Sequence, residues 1–142
     1  MTTPVQTLAP DSQISDAVRL FQDTRFQAFP VVAADGALLG LLNIWNILLK
    51  VLPPYIISGD LPDVRFAPDL NPLHERLAAL RSQAAAELMD RSPPRAKSGD
   101  SVLECAALML HAPHRVHLLP VVDESGRLLG VIAPWDLIKE ID

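Results

Sequence analysis

The stretch Leu119-Pro120-Val121-Val122-Asp123-Glu124-Ser125-Gly126-Arg127-Leu128-Leu129-Gly130-Val131-Ile132-Ala133-Pro134-Trp135-Asp136 decides how this chain is read. Ninety positions earlier stands Phe29-Pro30-Val31-Val32-Ala33-Ala34-Asp35-Gly36-Ala37-Leu38-Leu39-Gly40-Leu41-Leu42-Asn43-Ile44-Trp45-Asn46. Pro30 aligns with Pro120 without a gap, as do Gly36 with Gly126, Gly40 with Gly130, and Trp45 with Trp135. A duplication of this kind constrains a fold more strongly than any single residue does.

Each copy predicts an apolar strand at 29–33 or 118–123, then a turn in which Asp35-Gly36 or Ser125-Gly126 supplies a positive φ. A second strand follows at 38–42 or 128–133, broken by Gly40 or Gly130, where another backbone or a ligand could come close. The apolar period then lengthens to that of a helix, with Ile44, Ile47, Leu48 and Val51 in one copy and Leu137, Ile138 and Ile141 in the other. Upstream, Asp11-Ser12 can cap a helix whose inner face is Ile14, Ala17, Val18 and Phe21. Asp100-Ser101 can cap one that buries Val102, Leu103, Ala106, Met109 and Leu110. These helices align at an offset of 89, one residue short of the strand offset. A short extended lead-in precedes each unit, Val5-Gln6-Thr7-Leu8 in the first and Arg95-Ala96-Lys97 in the second.

The Pro-Val-Val strand opening, the Asp/Ser-Gly hairpin, the Leu-Leu-Gly strand and the polar residue opening the last helix resemble the CBS motif, named from cystathionine β-synthase. Two copies resemble the pair called a Bateman module. The resemblance implies an α+β fold of tandem helix-strand-strand-helix repeats related by a pseudo-two-fold axis. Their three-stranded sheets would pack together with the helices outside. The whole chain, 1–142, reads as one such module: motif 1 at 5–52, a Pro-rich connector and helix at 53–85, and motif 2 at 86–142. Family members often carry a longer N-terminal segment, so this chain could be part of a larger protein, a transporter tail among the options.

Hydrophobic residues make up 49% of the 142 and charged ones 20%, which argues against disorder. The net charge of −5 argues against general nucleic-acid binding, where phosphate contacts need a basic surface. Cys105 stands alone in an apolar helical stretch, which suits an inert thiol and a cytoplasmic location. Residues 1–9 lack the charged start and apolar run of a signal peptide. Residues 37–57 are long enough to cross a bilayer. However, Asn43, Asn46, Lys50 and Pro53-Pro54 suit a buried strand and an amphipathic helix better, so membrane insertion is not expected.

Residues 53–72 carry five of the thirteen prolines and read as an irregular connector whose Tyr55, Ile56, Ile57, Val64 and Phe66 pack on the module or on a partner. A helix follows at 73–89, opened by Asn71-Pro72.

No P-loop, dinucleotide fingerprint, HExxH, paired cysteines or serine-nucleophile motif is present, so an enzyme is not expected. The resemblance implies instead a cleft for an adenine nucleotide (AMP, ADP or ATP) or S-adenosylmethionine. In the family, a Gly-x-x-Thr/Ser-x-x-Asp run supplies an aspartate that accepts hydrogen bonds from both ribose hydroxyls. On that pattern the second copy reads Gly130, Ala133, Asp136. Asp136 is the ribose candidate, and Ala133 has lost the hydroxyl. The first copy reads Gly40, Asn43, Asn46, with Asn46 an uncharged ribose candidate. Each has a plainer reading, Asp136 as a carboxylate favoured by a helix N-terminus and Asn46 as a helix cap.

The resemblance also places His117, Arg115, Lys97 and Arg95 on the phosphate side. His117 stands in a His-x-Leu-Pro stretch similar to that of the AMP-activated kinase γ subunit, with Gln27 in its place in the first copy. The same residues also fit a solvated loop rim. Ala133, Pro134, Pro120, Val121 and Asn43 would line the cleft. His111, His114 and His117, spaced by three, could meet at a metal on one helix, but Pro113 breaks that helix, so no metal is assigned. Trp45 and Trp135 would pack at helix starts or between the copies. Two functions follow: a regulatory sensor that signals to an effector, or a ligand-free dimerisation module using the helix faces at 44–52 and 137–141.

Overall fold

In the computed structural model, which describes residues 5–24, 26–59, 70–111 and 117–142, each copy is built around one antiparallel hairpin. In the first, β1 (Ala28–Val32) pairs with β2 (Leu38–Asn43), Phe29 opposite Leu42 and Val31 opposite Gly40. In the second, β4 (Leu119–Val122) pairs with β5 (Leu128–Ile132), Leu119 opposite Ile132 and Val121 opposite Gly130. Both hairpins shift register at the same place, between Val31 and Val32 and between Val121 and Val122. Gly36 and Gly126 close the turns at φ of 90° and 87°, where a side chain would be strained.

The lead-ins differ. β3 (Ala96–Lys97) adds to β4 in parallel and completes a three-stranded sheet. In the first copy only Leu8 pairs, as an isolated parallel bridge to Val31, so that sheet has two strands and a single-residue third edge. Leu8 still donates to the Pro30 carbonyl and accepts from the Val32 N–H, both at 2.9 Å.

Helices cover the outer faces. α1 (Ile14–Thr24) buries Ile14, Ala17 and Phe21, the expected face, with Val18 at its margin. The expected Asp11-Ser12 cap is not what closes it. Ser12 Oγ accepts from the Ala9 N–H, and Asp16 reaches back to the Gln13 N–H. α6 (Val102–His111) is closed by Ser101, whose Oγ accepts from the Glu104 N–H. It buries Cys105 and Met109, while Leu103 and Leu110 are 79% and 60% exposed, contrary to the expected face. Starting the helix at Val102 aligns Ala17 with Cys105 and Phe21 with Met109. The helices therefore match at an offset of 88, and the apolar residues left over face outward. Burial raises the Cys105 thiol pKa, and Asp100 and Glu104 raise it further, which keeps the sulfur protonated and inert.

α2 (Ile44–Val51) and α7 (Pro134–Ile141) follow the hairpins directly. Between the copies run α3 (Pro54–Ser58), α4 (Asn71–Leu80) and α5 (Ala85–Leu88). The connector residues Val64 and Phe66 lie outside the described residues; Tyr55 and Ile57 are exposed and Ile56 is half-buried. The helix expected at 73–89 is two helices. The chain leaves α4 at Arg81 because its carbonyls are needed elsewhere. The Arg81 and Gln83 carbonyls accept from the Ser15 and Ile14 N–H groups at the start of α1, and the Ala85 N–H returns a bond to Ser12. Orphan donors of one helix terminus are satisfied by the break in another.

The first core gathers Phe21, Phe29, Val31, Leu42, Ile47, Leu80 and Leu88, with the Phe21 and Phe29 rings tilted at 5.1 Å. The second gathers Ala96, Cys105, Met109, Leu119 and Val121 beneath α6. A third cluster joins the copies: Ala28, Leu41, Leu118 and Val131, two pairs of repeat equivalents each ninety positions apart. The hairpin tips also meet. Leu38 donates to the Gly126 carbonyl and Leu128 to the Gly36 carbonyl, each at 3.0 Å, on either side of an antiparallel bridge between Ala37 and Arg127. This reciprocity is what a pseudo-two-fold axis between facing sheets produces.

Candidate functional site

Strand direction places the candidate residues. β3 runs parallel to β4, and β4 antiparallel to β5. Arg95, just before β3, His117, two residues before β4, and the β5–α7 junction therefore all lie at one end of the second sheet. Ala133 is the residue before α7, and Pro134 takes the first turn, where a missing N–H costs nothing. Asp136, half-buried, folds back so that its Oδ2 accepts from the Ala133 N–H at 2.8 Å. Its other carboxylate oxygen has no hydrogen-bond partner among the described residues. The first copy repeats the device with amides. Asn46 Oδ1 accepts from the Asn43 N–H at 2.7 Å, and Asn43 Oδ1 accepts from the Trp45 N–H at 2.9 Å. In both copies, then, the ribose candidate serves as a helix cap.

The surroundings of these residues are separate. Asp136 lines a groove of about 170 Å³ between α6 and α7 with Asp100, Cys105, Ile132, Leu137 and Glu140. Three carboxylates there disfavour a phosphate. Arg95 and Lys97 line a different, broader groove of about 760 Å³ along α6, with Pro94, Glu104, Leu108 and His111. Lys97 is paired with Val122, nearer the hairpin tip, and its N–H is held by Asp100 Oδ2 at 2.8 Å. His117 is exposed, and Arg115 and His114 lie outside the described residues. Among the described residues no three metal-ligating side chains come together. Pro120 is fully buried, and Val121 belongs to the core under α6.

The space between the copies is a small apolar crevice. Val5, Gln6, Phe26, Ala28, Phe29 and Pro30 line it from the first copy, and Leu118 and Val131 from the second. Gln6 is its polar residue, whereas the sequence led us to expect polar groups from the helix starts. Its volume of about 40 Å³ is room for a few water molecules at most. Pro30, not anticipated as a lining residue, is the repeat equivalent of the expected Pro120, a signal the duplication already carried. The two indoles are exposed, Trp45 by 53% and Trp135 by 61%, so neither packs between the copies.

Two segments of this chain, residues 1–52 and 85–142, match the CBS domain model. The chain belongs to the CBS domain family. Over 141 aligned residues it is 27% identical to the uncharacterized protein MJ1426 of Methanocaldococcus jannaschii, covering 92% of this chain and 82% of that protein. It is 25% identical to the chloroplastic CBS domain-containing protein CBSX1 of Arabidopsis thaliana, where it covers 92% of this chain but 56% of the relative. Among solved structures, the CBS-pair protein CBSX2 of Arabidopsis thaliana in complex with AMP superimposes with a TM-score of 0.71 at 20% identity, over 99% of this chain and 89% of that one. Protein MJ1225 of Methanocaldococcus jannaschii superimposes at 0.77 with 22% identity, over the whole of this chain and 46% of the other. The tandem CBS fold expected from the repeat is the fold observed. No helix of the described residues is long and apolar enough to cross a membrane.

Proposed function

We propose that this CBS pair is a regulatory module that binds an adenine nucleotide or a related adenosyl compound between its two motifs and signals by changing their relative orientation. The observation that carries this reading is topological. The parallel β3 and antiparallel β5 bring Arg95, His117 and Asp136 to one end of the second sheet, the end at which Leu118 enters the inter-copy crevice. A guanidinium, an imidazole and a carboxylate at one sheet end, in separate surroundings here, can turn to a ligand's phosphate and ribose when the copies part. The AMP complex of CBSX2 supports the ligand class. The present crevice holds no nucleotide-sized space, so binding requires the copies to separate, and a ligand that prefers the open arrangement shifts the population toward it.

Calorimetry with AMP, ADP, ATP and S-adenosylmethionine tests the proposal, and the informative variant is Asp136→Asn. Asn46 shows that an amide at this position still caps the helix. The substitution therefore removes charge and leaves the local fold. Binding that weakens about tenfold or more, an ordinary cost for a lost charge-assisted bond, supports a ribose role. No heat and no thermal shift with any ligand at millimolar concentration would sink the sensor.

The alternative is a dimerisation module without a small ligand. Both ribose candidates are engaged as caps, and α2 and α7 expose Trp45, Leu49, Trp135, Ile138 and Ile141. A dimer whose affinity ignores all four ligands would favour it.

A further inference from the structure

The two hairpins are joined in two unlike ways. At the hairpin tips the joint is directional: two reciprocal backbone hydrogen bonds at 3.0 Å flank the Ala37–Arg127 bridge. A hydrogen bond weakens steeply as its distance and angle change, so this joint holds its geometry. At the other end of the strands the joint is the cluster of Ala28, Leu41, Leu118 and Val131. Apolar contact has no preferred direction and lets surfaces slide or part. The crevice lies at this second end, lined by Ala28 and Leu118 themselves. Among the described residues no other backbone hydrogen bond links the two hairpins; the opening segment of motif 2, where Ala86 donates to Pro10 and Asp90 exchanges two bonds with Leu41, is packed in the first core and travels with the first copy.

We propose that the paired hairpin tips are a fixed pivot about which the two motifs rotate, so that the crevice opens at Ala28 and Leu118 while Ala37 and Arg127 stay together. The strand from Ala28 to Val32 gives a lever of about 13 Å at the usual rise per residue. Widening the crevice by about 3.5 Å, one van der Waals layer, then needs a rotation of roughly 15°. Gly36 and Gly126, both at positive φ, sit in the joint and give it the turn conformation that presents their carbonyls to Leu128 and Leu38. The proposal rests on the reading that a ligand enters this crevice, and it adds which end moves.

Ala37 and Arg127 form the non-hydrogen-bonded kind of antiparallel pair, in which Cα atoms stand about 4.5 Å apart, within disulfide range. The double variant Ala37→Cys/Arg127→Cys can therefore be locked by oxidation in the full chain. Cys105 is buried and stays out of the reaction. The locked protein is expected to bind AMP within about fivefold of its reduced form, since the pivot does not need to part. A larger loss that dithiothreitol reverses would overturn the pivot. If the unmodified chain binds none of the four ligands, the sensor reading fails and the pivot is judged by native-state hydrogen exchange on that same chain. The Leu38 and Leu128 amides are expected to exchange as slowly as Leu41 and Leu42 in β2. Exchange at either tip amide about tenfold faster than those strand amides would mean that the tips open first, and the pivot would be rejected.

Discussion

Asp136 has two claims on its carboxylate. One oxygen already holds the Ala133 N–H, which closes the first turn of α7. A ribose would have to share that oxygen or use the other. Asp136→Ala removes the cap and is expected to cost about 1 kcal/mol, as losing a helix cap usually does, whereas Asp136→Asn should cost only a few tenths. Urea unfolding at pH 7 would separate the two, and equal losses would show that charge rather than the hydrogen bond stabilises this turn. Asp123 shows the same chemistry in the turn of the second hairpin. Its Oδ1 accepts from the Ser125 hydroxyl and from the Ser125 and Arg127 N–H groups, and these bonds, the hydroxyl first, hold its pKa below the usual carboxylate value. The acid is stabilised in its charged form by folding, so this contribution is present above the ordinary carboxylate pKa and fades as pH falls through the lowered one. Polar residues at repeat positions were visible in the sequence, but whether each spends its oxygen on backbone or on a ligand depends on rotamers that a residue list does not contain.

At the scale of elements, the hairpins were legible because three signals coincided: short continuous apolar strands, a turn glycine suited to positive φ and the duplication. Helix faces were less so. α6 is apolar at Val102, Leu103, Cys105, Ala106, Leu108, Met109 and Leu110, which leaves several faces open to burial, and the Ser101 cap settles the phase. The break between α4 and α5 was hidden because its cause, the unpaired N-terminus of α1, lies some seventy residues away in sequence. Gly40 shows a strand position whose requirement was readable while its partner was not. Leu41, beside it, exchanges two backbone hydrogen bonds of 2.9 Å with Asp90, so the segment after α5 lies across β2. A Cβ on Gly40 would come 2.5 Å from the Asp90 carbonyl oxygen and 2.7 Å from the Met89 sulfur. The sulfur can swing away but the carbonyl cannot without giving up the bridge. Gly40→Ala is therefore expected to destabilise the chain by about 1–3 kcal/mol, the range for overpacking. Exchange of the Leu41 and Asp90 amides should accelerate in the same variant. A neutral Gly40→Ala would mean that this segment does not press on β2 in solution.

At the scale of the molecule, apolar surface is distributed unevenly. α2 exposes Trp45 and Leu49, and α7 exposes Trp135, Ile138 and Ile141. The two indoles are repeat equivalents, so the internal two-fold that pairs the hairpin tips also pairs these faces. Trp135 and Ile138 are each more than half exposed, and the five side chains together expose on the order of a few hundred Å², the size at which a patch marks an interaction surface. A second copy would suit such a patch, because a closed two-fold dimer buries the same surface on both subunits and leaves none over. If the chain pairs through these faces, Trp45→Glu/Trp135→Glu is expected to convert that dimer to monomer at micromolar concentration in sedimentation equilibrium. Both indoles are more than half exposed, so the thermal midpoint at concentrations where the parent is already monomeric should change little, as for other surface substitutions. A double variant that still dimerises would place the interface elsewhere. A monomer that melts well below the parent would show that the tryptophans hold their own fold together. The same pair of measurements repeated with AMP bears on the sensor: if the copies rotate about their hairpin tips, α2 and α7 are carried with them, and the dimer constant must respond to ligand by the same factor as the ligand constant responds to dimerisation.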